Sequence, residues 1–294
     1  MPFDQSSHSC GRPAHAATLP ARHLPRFTAS QLISAVRKIL EGTSTKVDLD
    51  FALTSAGQAQ AFPRIWRRSK TPPTIGLSVG GVTVAVTGHD RSAFEAEDLV
   101  RLDVNDWPGG RAEIALCPGH VEVSEVRAAA SREVQTGFAR ANAVTLVAAA
   151  VSYLVDAVGV VWHASLVCLP KNNLQAIAGR LTTGKVPSAL WLGILPLIQR
   201  DGQLAGLRTR GLLPSLGAEI GIDGAEMSRS EAVKVLLGFA GRFVSGKALP
   251  EQMSALVLGA RHKYRVRNLQ RVGEDAVPEI FLLPPAEHLV AGAA

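Results

Sequence analysis

Apolar residues from Thr28 to Leu40 recur at helical spacing, with Leu32, Ile33, Val36, Ile39 and Leu40 on one stripe, Thr28 or Ser30 to cap the start and Gly42 to end it. Val47, Leu49 and Phe51 alternate with polar residues and predict a short strand. Ile75, Leu77 and Val79, then Val82, Val84 and Val86, alternate on either side of Gly80-Gly81, the pattern of a two-residue hairpin. Phe94 to Val100 predicts a short helix, Trp107 to Gly110 a turn, and Glu113 to Leu116 and His120 to Val126 two strands about Pro118-Gly119. Glu133 to Val155 is the longest helical stretch, followed by a buried strand over Val158 to Leu169 and a helix over Asn172 to Leu181. Ala189 to Gln199 and Gln203 to Arg210 form a second hairpin with Asp201-Gly202 at its tip, and Glu219 to Ile222 is extended. Ser228 to Val244 is an amphipathic helix with Ser228 and Glu231 in capping-box register. Val257 to Leu269 and Ile280 to Leu283 close the chain as strands.

Strands outnumber helices and are often joined by hairpins. This predicts an α+β fold: a mixed or mainly antiparallel sheet packed by one long buried helix and two or three further helices. Met1 to Arg26 is polar and carries Pro2, Pro13, Pro20 and Pro25, so 1–26 reads as a disordered leader. Residues 27–70 form an N-terminal extension ending in the basic linker that opens at Arg64, 71–284 the main domain, and 285–294 a frayed tail. Ala141 to Trp162 holds a single charge, Asp156, but Asn142, Ser152 and Gly159 interrupt it below the roughly 20 apolar residues that a spanning helix needs. A buried helix followed by a core strand is expected, and no membrane partner.

Composition changes this picture little. The chain of 294 residues has a formal charge of +6, which permits an anionic partner without demanding one. Cys10, Cys117 and Cys168 are too few and scattered for a disulfide framework, which fits a reducing, cytoplasmic setting.

Most chemical motifs fail on inspection. Gly179 to Lys185 matches the front of a phosphate-binding loop, but Val186 stands where a hydroxyl should meet magnesium, and a helix precedes it where a strand should. His8, Cys10, His15 and His23 follow no zinc spacing. His163 and Cys168, five apart on one strand, would point to opposite faces, and Cys117 with His120 lies in no nucleophile motif. These cysteines read as structural. No cofactor, metal or catalytic set is implied. Arg261, Lys263, Arg265 and Arg267 share one face of an extended segment, with Tyr264 and Val266 on the other. That stripe suits either contact with an anionic partner or a solvated edge strand, which charge protects from unwanted pairing.

Thr209-Arg210-Gly211-Leu212, with Gly217 and Glu219-Ile220, resembles the signature of the bacterial domain of unknown function 4261 family. Gly80 to Val86, Trp107-Pro108, His120 to Val123 and Gly159 to Trp162 fall in that family's order, whereas Lys247 to Pro250 replaces its glycine-rich turn. The resemblance implies an α+β cytoplasmic protein, sometimes in the setting of contact-dependent toxins and secretion systems, and no catalytic residue. In the signature, Arg210 would pair with Glu219 as the chain turns back at Gly211.

The leading expectation is a non-enzymatic interaction protein with a protein partner, an immunity or accessory factor by that resemblance. The alternatives are an enzyme with a polar site near His120, His163 and Arg210, and a nucleic-acid-associated factor using the strand at 261–267.

Overall fold

The computed structural model describes residues 15–23, 26–50, 72–104, 107–126, 137–182, 188–198, 204–223, 228–244, 255–258, 262–269 and 279–283. The fold is α+β, and the chain divides into two units at Leu190/Trp191, where one main domain over 71–284 was expected.

The first unit carries β1 (Ala16–Ala21), α1 (Ala29–Ile39), β2 (Val47–Asp50), β3 (Thr74–Val79), β4 (Val82–His89), α2 (Ala96–Arg101), α3 (Gly110–Ala115), β5 (Gly119–Glu125), α4 (Gly137–Leu154), β6 (Gly159–Trp162), β7 (Val167–Pro170) and α5 (Lys171–Leu181), with α6 (Ser188–Trp191) at its end. Its strands form one antiparallel sheet in the order β2-β3-β4-β5-β1-β6-β7.

Alternation decides which side of that sheet is core. Val84 and Val86, Val121 and Val123, and Ala17 and Leu19 share one face through their register, and all are fully buried there. Helix α4 packs on β4, β5 and β1, with α1 and α5 against its flanks. It is the described helix apolar and long enough to cross a membrane, and most of it is buried inside this unit. Thr28 caps α1 through a reciprocal capping box with Gln31.

Four expectations need correction. The leader contains β1, buried throughout and hydrogen-bonded between β5 and β6. Its small residues and Pro20 hide the strand; Pro20 keeps its carbonyl in use, accepting from Val158 N–H at 3.0 Å. Glu113 to Leu116 lies in α3 and its C-cap instead of a strand, because Gly109 at φ 82° lets the chain turn straight into a helix. Val158 to Leu169 is a hairpin of β6 and β7. Its turn passes Leu166 at φ 55°, a conformation that a bulky residue rarely signals. Val257 to Leu269 is likewise two strands, as the second unit shows.

The second unit carries β8 (Gly193–Ile198), β9 (Leu204–Arg210), α7 (Leu213–Leu216), β10 (Glu219–Asp223), α8 (Arg229–Val244), β11 (Ala255–Leu258), β12 (His262–Leu269) and β13 (Glu279–Leu283). Its sheet runs β11-β12-β13-β10-β9-β8, antiparallel apart from the parallel pair β10–β13. Helix α8 packs on β9, β10 and β11 through buried Ala232, Leu236, Phe239 and Ala240.

Candidate functional site

On the face of the first sheet opposite α4, the register lines up four rungs. Asp48, Ser78 and Thr83 form the first, and Asp50, Gly76, Ala85 and Ser124 the second. Thr74, Thr87, Glu122 and Thr18 form the third, and His89 and His120 the fourth. A hydroxyl–hydroxyl bond of 3.1 Å between Thr74 and Thr87 confirms that these side chains meet. Over β2 to β5 these positions are half-buried or exposed apart from Gly76 and His120, whereas the opposite face is buried apart from Leu49. Three of the rung residues over these four strands are carboxylates and none is Lys or Arg, so this face is acidic on a chain whose net charge is +6.

The fourth rung is chemically distinct. The rings of His89 and His120 stack with centroids 4.4 Å apart and planes 14° from parallel. His120 is 7% exposed, and its Nδ1 lies 2.8 Å from the Arg91 carbonyl oxygen. A carbonyl only accepts, so Nδ1 carries the proton and Nε2 keeps the lone pair. Burial, the neighbouring His89 and the Arg91 charge pull the His120 pKa down to about 4, against the opposing effect of that hydrogen bond. Burial and Arg91 lower His89 as well, against Asp90. Its Nε2, itself buried and without a hydrogen bond, stands 3.9 Å from Glu122 Oε2, and that carboxylate is wet enough for water to weaken its pull. The pair is therefore neutral at pH 7.

His163 joins the same face from the end of β6, its Nε2 2.7 Å from Thr18 Oγ1. Pro20 opposes His120, and His163 bonds back to Ala16, so His120 and His163 stand two strands and four register positions apart, about 16 Å between their backbones. The third member of the anticipated polar site, Arg210, belongs to the second unit. Cys117 and Cys168 are buried thiols; Cys117 donates to the Glu113 carbonyl rather than facing His120. His15 lies beneath the sheet against Glu125, at 3.7 Å, and His23 beside Asp156. His8, Cys10, residues 51–71, which include the expected linker from Arg64, and residues 183–187, which include the end of the Gly179 to Lys185 motif, fall outside the described residues.

The signature in the second unit is a corner, and its chemistry differs from the anticipated ion pair. The β9–β10 ladder stops at Arg208 opposite Gly221. Beyond it the Thr209 hydroxyl stands in for a backbone carbonyl, accepting from Ile220 N–H at 2.8 Å and donating to Glu219 Oε2 at 2.7 Å. Glu219 Oε1 accepts from Gly211 N–H and Leu213 N–H at 2.8 and 3.0 Å. Uncharged donors thus hold the carboxylate in the role foreseen for Arg210. Gly211 sits at φ 116° and Gly217 at φ 76°, where a side chain would be strained, and Leu212 is buried beneath. Burial pushes the Glu219 carboxyl up, opposed by these same donors.

The basic stripe is not an edge. β12 is hydrogen-bonded to β11 on one side and β13 on the other, with Arg265 opposite both Ala255 and Leu283. Lys263, Arg265 and Arg267 lie on it, and Arg261 is outside the described residues. The protective-edge explanation for these charges therefore falls.

Sequence reading missed His89, Glu122, Thr18 and the two aspartates. The polar members of each alternating run were visible, but their lateral alignment needs the strand order. No family model matches the chain, and no curated protein and no solved structure matches it.

Proposed function

We propose that the protein is a non-enzymatic interaction factor that receives a protein partner on the open face of its first sheet. The observation that supports this reading is the one-sided cover: helices bury one face, while β2 to β5 keep hydroxyls and carboxylates accessible on the other. Four strands at about 4.8 Å spacing and about 6 residues at about 3.3 Å make a patch of roughly 400 Å². A stable interface buries about 800 Å² per partner, so the patch supplies about half and favours a regulated contact completed by neighbouring surface. Its three carboxylates call for a basic surface on the partner. The partner class is the one that the family resemblance implies, a toxin or a secretion component, which makes this chain an immunity or accessory factor.

The test is a photo-crosslinking residue at Thr87, with the same residue at exposed Ser34 on α1 as control, followed by purification of the protein captured from native cells. That protein should bind the unmodified chain in a salt-sensitive manner, and Asp48→Lys with Glu122→Lys should weaken it about tenfold or more. Equal binding to the charge-reversed and native proteins sinks the proposal.

A second reading rests on a separate observation. The fixed tautomer of His120 leaves a neutral Nε2 lone pair beside His89, an arrangement that serves a general base. This enzyme reading uses His120 and His163 and leaves out Arg210. Activity toward any captured or screened substrate that disappears in His120→Asn while Thr87 adducts persist would favour it over the interaction reading.

A further inference from the structure

A crevice of about 610 Å³ opens where β1 ends, beyond the last rung of the sheet. That volume falls within the range of small-molecule sites, about 300–1,000 Å³. One wall is cationic: Arg22 and Arg26 flank it, with His23 between them in the chain. The other is apolar, made by Pro118 at the start of β5 and by Leu154 and Val155 at the end of α4. Asp156 also lines it, 3.7 Å from His23, so two guanidinium groups face one carboxylate among the lining residues.

Two further features point to a ligand with both an apolar and an anionic part. Leu116 is 83% exposed and Tyr153 57%, two of the four large apolar side chains left exposed among the described residues. Each adjoins a lining segment in the chain, Leu116 two residues before Pro118 and Tyr153 immediately before Leu154. Arg22 already shows a carboxylate geometry: its Nη2 donates to Glu113 Oε2 at 3.0 Å, while Glu113 Oε1 accepts from the Trp107 indole N–H at 3.3 Å. A guanidinium has five donors, so this contact leaves capacity for a second anion.

We propose that this crevice binds a small amphiphilic monoanion, its carboxylate-type head on Arg22 and Arg26 and its apolar body against Pro118, Leu154 and Val155. The Arg22–Glu113–Trp107 chain gives the site its own reporter. A head group drawn to Arg22 disturbs Glu113, and the Trp107 indole N–H resonance moves.

The experiment titrates the full chain with decanoate, and with decanol as its uncharged counterpart, following the Trp107 indole signal. Decanoate should shift it saturably at sub-millimolar concentration, and decanol should bind at least about tenfold more weakly. Arg26→Glu should weaken decanoate by at least about tenfold, as should Arg22→Gln, whereas Lys38→Glu, the same charge change on the exposed side of α1, should leave it unchanged. Both arginines are exposed, and Arg26→Glu alone carries the test should Arg22→Gln disturb the fold. Absence of a saturable shift, equal binding of decanol, or an equal effect of Lys38→Glu and Arg26→Glu overturns the proposal.

Discussion

Acidification should strike the fold at one identifiable ring. His120 is buried against His89 with a pKa of about 4, while in the unfolded chain an imidazole titrates near 6.5. Between those values the unfolded state binds the proton and the folded state refuses it. Stability from this residue is complete above about pH 6.5 and is lost as pH falls toward 4. At 1.36 kcal/mol per pKa unit, a drop from 6.5 to about 4 corresponds to about 3 kcal/mol, a large share of a domain's 5–15. The residue is 7% exposed, so solvent screening takes little of this away. His120→Asn removes the titration but keeps an N–H for the Arg91 carbonyl. Urea unfolding at pH 7, 5.5 and 4 should show the native protein losing about 3 kcal/mol more than His120→Asn, with a smaller contribution in both from His89. A His120 ring that titrates near pH 6.5 by NMR, or parallel pH profiles of the two proteins, would refute the reasoning.

Two other outcomes follow from the packing. Glu219→Ala leaves the Thr209 hydroxyl and the Gly211 and Leu213 N–H groups buried without their acceptor, and at about 1 kcal/mol or more each the loss should reach about 3 kcal/mol, seen as faster hydrogen exchange in β9 and β10. Because burial raises the Glu219 pKa, its contribution is present below the ordinary glutamate range and declines as pH rises through the folded value, so the stability gap between native protein and Glu219→Gln should narrow with rising pH. Gly159→Val should cost about 1–3 kcal/mol or more by thermal melting, since a Cβ there would come within 2.4 Å of the Leu169 carbonyl oxygen and 2.5 Å of the Trp107 ring.

Local patterning carried most of the elements. The Gly80-Gly81 hairpin, the helix after Thr28 and the helix at Ser228 stand where period and capping placed them, because each is set by neighbours in the chain; the hairpin into Arg210 also forms, but its first strand begins at Gly193, since Ala189 to Trp191 lie in α6. The elements that escaped are those whose signal is not local. β1 is a strand because β5 and β6 lie beside it; its own sequence, AATLPA, has neither alternation nor β-branched residues beyond Thr18. The β6–β7 turn has no Gly or Pro, and its backbone is closed by Leu166 N–H to the Trp162 carbonyl and by Ser165, whose hydroxyl accepts from Val167 N–H and donates to the Leu190 carbonyl.

The candidate surface was illegible for the same reason at a larger scale. Its third rung runs Thr74, Thr87, Glu122 and Thr18, four residues from four strands separated by as many as 104 positions in the chain. Each strand displays its polar side by alternation alone, but adding them into one acidic face requires the order β2-β3-β4-β5-β1, which places the first strand fifth. The signature at Thr209 to Glu219 shows the converse. There the residues are close in sequence and their motif was visible, yet pairing Arg210 with Glu219 by opposite charge overlooked the stronger local competitors. A carboxylate folded back over a turn meets backbone N–H groups already aimed at it, and two of them with one hydroxyl satisfy it without a long, flexible cation being ordered. Charge complementarity in a sequence is thus a weaker guide to such corners than the count of orphaned donors that the turn creates.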